Sequence, residues 1–134
     1  MTVPVFSHLA MARHSNGADH AERPERLSAV LDALADAGLG GDRRDAPMID
    51  RAHLARVHPA AFIDAIFAAE PVSGRTRLDP DTAMSPGSLE AALRAAGAVT
   101  AAAEAVARGE MDRAFCAVRP PGHHAEPDVA MRSE

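Results

Sequence analysis

Two adjacent histidines, His123 and His124, are the side chains of this sequence best suited to carry out chemistry. Histidine changes its protonation state near neutral pH, so a well-placed imidazole can accept and release a proton during a reaction. The pair follows Arg119-Pro120-Pro121-Gly122. The two prolines fix φ and remove two backbone donors, and the glycine permits a backbone conformation or close approach that no side chain would tolerate. This segment is therefore predicted to be a stiff loop that presents two imidazoles in fixed directions.

The residues before the loop indicate how it is positioned. Residues 114–118 form a short apolar run bounded by turn residues, which predicts a buried strand. Open α/β sheets place their chemistry at the carboxyl ends of strands, which is where this loop would stand. The plainer alternatives are that the histidine pair is a surface-loop feature or an adventitious metal binder.

A strand followed by Arg-Pro-Pro-Gly-His-His-Ala, residues 119–125, resembles the tandem-histidine loop of the zinc-dependent deacetylases. This superfamily comprises histone deacetylases, acetoin-utilisation proteins and acetylpolyamine amidohydrolases. The resemblance implies hydrolysis of N-acetyl-lysine or of acetylated amines to acetate and the free amine. In that reaction His124 would be the principal general base and His123 its partner, while zinc and a tyrosine stabilise the oxyanion.

Residues 20–26, His-Ala-Glu-Arg-Pro-Glu-Arg, resemble the family's early His-Pro-Glu-x-Pro-x-Arg loop, with Ala21 where a proline is usual. The resemblance implies that the closing residue, Arg26, lies beside the internal channel through which acetate leaves. Without the family, the charged residues of this segment, Glu22 among them, describe the solvated start of a helix. Both interpretations remain open at the level of sequence.

Asp81-Thr82 precedes an alanine-rich helix, as an Asp-Thr pair does in the nearest branch of the family. The resemblance implies that the Asp81 carboxylate accepts hydrogen bonds from backbone N–H groups of an acyl-lysine substrate. The alternative is that Asp79 and Asp81 form Asx turns before the helix, as short acidic side chains often do.

The zinc ion that the resemblance implies has no ligand set in this sequence. The family's two aspartates and histidine come after the tandem histidines, but here Asp128 is the one later aspartate and no Asp-x-His follows. After Ala130-Met131 the family continues with Gly-Phe-Cys, whereas this chain reads Arg132-Ser133-Glu134 and contains no tyrosine. We therefore expect residues 1–134 to be a single, truncated deacetylase-like domain that is inactive alone.

Composition excludes several other classes of function. The chain has 134 residues, 47% hydrophobic and 25% charged, with a net charge of −5, which is typical of one globular domain without a basic surface for nucleic acid. No stretch is long and apolar enough to span a bilayer, and residues 1–6 lack the basic region and long apolar core expected of a signal peptide. The single cysteine, Cys116, fits a reducing compartment and is predicted to be a buried small hydrophobe. These features predict a cytoplasmic protein.

Local patterns predict the elements that hold these residues. We expect strands at residues 3–6 and 46–49, a loop at residues 7–21, and helices at residues 24–38, 60–69 and 86–108, with a short helix capped by Asp50 and with Ser85 capping the last helix. Small side chains at residues 95–98 would let that helix pack closely. The expected fold, by resemblance, is the N-terminal part of the arginase/deacetylase-type open, mainly parallel sheet with helices on both faces, incomplete in this chain.

The remaining histidines have little to suggest chemistry. His53 and His58 lie at helix boundaries without a second ligand type at metal spacing, so they are predicted to be structural. His8 and His14 have even less to suggest a role.

Two functions therefore follow from the sequence. The first is a histone-deacetylase-like amidohydrolase fragment, whose full domain would act on acetylated lysine or a small acetylated amine. The second is a catalytically inactive short chain that serves as a binding or assembly module or as one half of a split enzyme. It would pair through an exposed sheet edge, with itself or with a downstream half. Zinc content and turnover of an acetyl-lysine substrate would distinguish the two.

Overall fold

The computed structural model describes residues 2–130, so the sequence departure at residues 132–134 lies outside the described part. The described residues form five short strands and four α-helices. In chain order they are β1 (Val5–Ser7), α1 (Pro24–Asp36), β2 (Arg43–Asp45), α2 (Arg51–Leu54), α3 (Ala60–Ala69), β3 (Thr76–Asp79), β4 (Thr82–Met84), α4 (Ser88–Ala107) and β5 (Phe115–Cys116).

The main sheet is parallel, with strand order β2-β1-β5. Its central strand, β1, pairs through Val5 with Arg43 on one side and with Phe115 on the other. The expected strand at residues 46–49 is wrong, because β2 ends at Asp45. Pairing with β1 selects the charged residues 43–45, whose side chains are exposed at the sheet edge, although their β propensity is low. The predicted fold class, a mainly parallel α/β sheet, is confirmed.

The α-helices in the first half of the chain follow their local signals closely. Helix α1 begins at Pro24, as predicted, and ends shortly before Gly38, which has a φ of 75°. Helix α3 spans the predicted residues. Asp50 occupies the N-cap position of α2, but its side chain makes no capping hydrogen bond, so only its position was correctly predicted.

The expected loop at residues 7–21 contains a 3₁₀ helix, Leu9–Arg13. The His8 ring caps it, because Nδ1 accepts a hydrogen bond from the N–H of Ala10 at 3.0 Å. Met11 within this helix is fully buried in the core. A helix of this length is too short to give a periodic pattern, which is why the sequence does not predict it.

The segment before α4 differs from the prediction. Strands β3 and β4 form an antiparallel hairpin, and the helix begins at Ser88 after Gly87, not after Ser85. The Ser85 hydroxyl accepts a hydrogen bond from the N–H of Ser15 at 3.0 Å, so it is bonded to the segment that precedes α1. Gly87 has a φ of 93°, and an added Cβ there would press on Arg13.

Helix α4 packs closely on the rest of the molecule, as its small residues predict. An added Cβ at Gly97 would overlap the carbonyl oxygen of Pro47. Beside this contact, the N–H of Ile49 donates to the carbonyl of Leu93 at 3.0 Å, and Arg94 Nη1 donates to the carbonyl of Ala46 at 2.8 Å. Alanines of α4 complete the hydrophobic core around β1. Within residues 2–130, no helix has the length and apolarity that crossing a bilayer requires.

Candidate active site

A cavity of about 620 Å³ lies between the carboxyl end of the parallel sheet and the β3–β4 hairpin. Its walls come from the early loop (residues 14–26), the hairpin, the first turns of α4 and the tandem-histidine loop (residues 119–125). Four residues selected from the sequence line this one cavity, namely Arg26, Asp81, His123 and His124. Segments up to 98 positions apart in the chain are thus brought to one place.

The tandem histidines project into solvent at the cavity. Both are exposed, and their ring centroids are 4.2 Å apart with an interplanar angle of 50°. The strand before them is shorter than predicted, since β5 covers only Phe115–Cys116. The hydrogen bonding between β5 and β1 nevertheless continues for one more residue, because the N–H of Ala117 donates to the carbonyl of Phe6 at 2.9 Å. Cys116 is only partly buried, not fully buried as predicted.

Arg119 anchors the start of the tandem-histidine loop. Its side chain is 2% exposed and forms a two-point ion pair with Glu22, with Nε 3.0 Å from Oε1 and Nη2 2.8 Å from Oε2. Of the two interpretations left open, a solvated Glu22 is therefore wrong, because its side chain is 11% exposed. Charge-assisted bonds of this two-point geometry are the strong and directional form of an ion pair.

His14 lies in the cavity wall, although the sequence gives it no role. It is buried, and its Nδ1 lies 2.7 Å from the hydroxyl of Ser88. Burial, aided by the nearby Arg119 cation, lowers the pKa of His14 to about 4. The ring is therefore neutral at physiological pH.

Asp81 is held at the cavity rim by His20. The Nε2 of His20 lies 2.9 Å from Oδ1 of Asp81 and 3.0 Å from its carbonyl oxygen. Since both oxygens accept, Nε2 carries the hydrogen, while Nδ1 accepts from the N–H of Glu22 at 3.0 Å. Asp79 does form the expected Asx turn, because its Oδ1 accepts from the N–H of Asp81 at 2.7 Å. The Asx-turn interpretation therefore applies to Asp79, while the substrate-binding role of Asp81 stays a prediction.

Arg26 completes the set of predicted residues. Its side chain is 60% exposed, and Nη1 lies 3.8 Å from Oε1 of Glu22. An exposed guanidinium at a cavity of this kind can attract a carboxylate. Residues 2–130 bring together no group of three histidine, cysteine or acidic side chains that could hold a metal ion.

The family model for the histone deacetylase domain matches residues 20–131, which include all four predicted site residues. The chain belongs to the histone deacetylase family. Among curated relatives, it is 42% identical over 119 residues to the histone deacetylase-like amidohydrolase of Pseudomonas aeruginosa, an alignment that covers 85% of this chain and 30% of the relative. It is 31% identical over 136 residues to a probable deacetylase of Archaeoglobus fulgidus, covering 96% and 36%.

The three-dimensional comparison agrees with this membership of the histone deacetylase family. The crystal structure of the HDA15 HD domain superimposes with a TM-score of 0.89 at 32% sequence identity, and the match covers 98% of this chain and 39% of that one. The chain thus spans less than two fifths of each of these relatives.

From the sequence of this histone deacetylase family member, the exposed site residues could be identified, but the buried residues that hold them in place could not. Glu22 stands in a run of charged residues that gives no sign of burial. Arg119 does carry a signal, because it lies between an apolar strand and two prolines, where a charge is expected to need a partner. His58 has the predicted structural role, since its Nδ1 donates to the carbonyl of Pro127 at 2.7 Å and ties down the segment after the tandem histidines.

Proposed function

We propose that this chain supplies the proton-transferring part of an active site that hydrolyses acetylated lysine or small acetylated amines. The observation that carries this proposal is the convergence of Arg26, Asp81, His123 and His124 on one cavity in a member of the histone deacetylase family. We assign the general base to His124 and the partner in proton transfer to His123.

Each residue has a chemical task that its position allows. The His124 imidazole takes a proton from the attacking water and returns it to the leaving amine, and His123 lies beside it to tune the transfer. Asp81, held by His20, accepts hydrogen bonds from the substrate backbone. Arg26 supplies a cation near which the acetate product can leave.

Members of this family are generally metal-dependent, and the resemblance implies zinc. Residues 2–130 do not fit this ion, because they form no group of three ligands. We propose that its ligands lie outside these residues, and the chemistry assigned here is limited to proton transfer and substrate binding. General-base catalysis alone gives about 10²–10⁴-fold acceleration, so we expect no measurable amide hydrolysis from residues 1–134 alone.

We further propose that residues 1–134 are part of one domain and that the protein acts in the cytoplasm without binding nucleic acid or membrane. Pairing with a second polypeptide is the alternative function. The observation that favours it is the outer edge of β5, where Phe115 is 43% exposed and where, among the described residues, only β1 pairs with this strand.

The test is a chimera in which residues 20–130 replace the matching part of the Pseudomonas aeruginosa amidohydrolase. We expect the chimera to hydrolyse an acetyl-lysine peptide and His124→Ala to lower kcat by about 10²–10⁴-fold. His53→Ala is the matched control, because this partly exposed histidine lies on α2, away from the cavity, and should change kcat less than about twofold.

An active chimera in which His124→Ala retains its kcat would refute the assignment. The alternative is tested by mixing the 134-residue chain with the remaining part of the same relative as a separate polypeptide. Turnover that appears only in the mixture, together with co-elution of the two chains, would establish pairing.

A further inference from the structure

The Glu22 carboxylate lies between the segments that carry the proposed site residues. It stands in the early loop, four residues before Arg26, and is nearly buried. Its Oε1 accepts a hydrogen bond from Nε of Arg119 at 3.0 Å, and its Oε2 accepts one from Nη2 at 2.8 Å. These bonds join the early loop to the tandem-histidine loop across 97 positions of sequence.

The Arg119 guanidinium is fixed on its remaining side as well. Its Nη1 donates to the carbonyl oxygens of Met11 and His14, each at 2.6 Å. Arg119 is also only four positions before His123. The position from which the tandem-histidine loop starts is therefore set by Glu22 and by two backbone carbonyls.

A second connection runs from the same carboxylate to the β3–β4 hairpin. The side-chain amide of Asn16 donates to Oε2 of Glu22 at 3.2 Å, and its carbonyl oxygen accepts from the N–H of Ala83 at 3.2 Å. Ala83 is buried in β4, two residues after Asp81.

A third connection uses the backbone of Glu22. Its N–H donates to Nδ1 of His20 at 3.0 Å, and Nε2 of His20 donates to Oδ1 of Asp81 at 2.9 Å. The hydrogen bond from the backbone fixes which ring nitrogen faces the aspartate. The hairpin is thus reached from Glu22 by two routes.

We infer that Glu22 is the positioning residue of this site, through which the tandem-histidine loop and the Asp81 hairpin are held in a fixed relation. For its catalytic meaning the inference rests on the proposed function. A carboxylate is needed at this position because only two acceptor oxygens match the two N–H groups that Arg119 presents. A glutamine of the same size would turn an NH₂ group towards the cation.

Two backbone amides report on the two sides of this network. The N–H of Ala83 donates to the Asn16 side chain, and the N–H of Ala125 donates to the carbonyl of Gly122 at 3.0 Å within the tandem-histidine loop. Hydrogen exchange measured by NMR on the full 134-residue chain gives the protection of each amide separately. The buried N–H of Ala98 in α4 serves as the reference for global opening.

The variants separate the connections. Asn16→Ala cuts only the hairpin side, and we expect protection of Ala83 to fall by about tenfold or more while that of Ala125 changes less than about twofold. Arg119→Lys keeps the charge but loses the two-point geometry. For this variant we expect protection of Ala125 to fall while that of Ala83 changes little. Glu22→Gln should lower the protection of both the Ala83 and the Ala125 amides, while the Ala98 amide stays protected.

Glu90→Gln is the matched control, because Glu90 forms an ion pair of similar length with Arg94 on α4, outside this network. It should leave both reporter amides unchanged. The inference is overturned if Asn16→Ala and Arg119→Lys give the same pattern, or if Glu22→Gln lowers only one of the two amides. If Glu22→Gln does not fold, Glu22→Asp takes its place, because a carboxylate one methylene shorter cannot reach Arg119 and Asn16 together, and both amides should again lose protection.

The exchange measurement needs no turnover, so it fails independently of the proposed function. An active chimera, together with reporter amides of the 134-residue chain that do not follow the expected pattern, would overturn the role of Glu22 alone. The expected pattern together with an inactive, folded chimera would overturn the proposed function alone.

Discussion

The buried His14 should make the stability of this protein sensitive to mild acid. The ring is 4% exposed and lies beside the Arg119 cation, so the folded protein resists its protonation. Its pKa falls from 6.5 to about 4 on folding, chiefly through burial. In the unfolded chain the same ring is free to bind a proton at its ordinary pKa.

The direction of the effect follows from this difference. Between pH 6.5 and about 4, the unfolded state binds one more proton at His14 than the folded state does, so acid favours unfolding. The contribution of the neutral ring is complete above pH 6.5 and is lost as the pH falls towards 4. Since each pH unit in this interval corresponds to about 1.4 kcal/mol, the total loss is about 3 kcal/mol.

The perturbation is His14→Gln, which keeps a side chain able to form hydrogen bonds but cannot be protonated. The assay is urea unfolding followed by far-ultraviolet circular dichroism at several pH values between about 4 and 7.5, since the chain has no tryptophan or tyrosine. We expect the free energy of unfolding of the variant to fall less steeply with acid than that of the parent. His53→Gln, on α2, is the control and should retain the parent slope. Equal slopes for the parent and His14→Gln would refute the reasoning.

Three further predictions concern the packing of α4, the ion pair between Arg119 and Glu22, and the reactivity of the Cys116 thiol. Gly97→Ala should lower the free energy of unfolding by roughly 1–3 kcal/mol because the added methyl overlaps a backbone carbonyl, whereas Gly41→Ala, in open space, should be almost neutral; equal effects would contradict this. Arg119→Met should cost about 3–5 kcal/mol by removing the two-point partner of the nearly buried Glu22 carboxylate, and Arg108→Met, on the surface, less than about 1 kcal/mol, both from urea unfolding. Burial raises the pKa of the Cys116 thiol, so it should react with a disulfide reagent more slowly in the folded chain than in urea, and an equal rate would be evidence against this.

The local signals of the sequence were sufficient where an element depends mainly on its own residues. Helix α3 occupies its predicted bounds because Phe62, Ile63, Ile66 and Phe67 repeat with helical spacing. Helix α1 starts at Pro24, because proline fits the first turn and lacks the N–H group that would there remain unpaired.

The signals failed where distant partners decide the conformation. Strand β2 is made of two arginines and an aspartate, residues with low β propensity, and exists because its backbone pairs with β1. The start of α4 is displaced because Ser85 bonds to Ser15, 70 positions earlier in the chain.

The candidate site also contains some residues that local patterns predict and others whose surroundings depend on distant partners. His123 and His124 were predicted because their motif is local and specific, and the structure places them on the cavity with Asp81 and Arg26. The burial of Glu22 could not be predicted, because it arises from a partner 97 residues later. Three of the next four residues, Arg23, Glu25 and Arg26, are charged, so they indicate only a solvated surface.

That long separation sets an order of events during synthesis. Glu22 leaves the ribosome before Arg119 does, and at about 5–20 residues per second the interval is roughly 5–20 s. Until then the carboxylate lacks the Arg119 guanidinium that accompanies it out of water, and β1 also lacks its partner β5. The early loop and the central strand are therefore synthesised well before the residues that connect them to the tandem histidines. Among the described residues, those proposed to carry out chemistry are thus among the last to be synthesised.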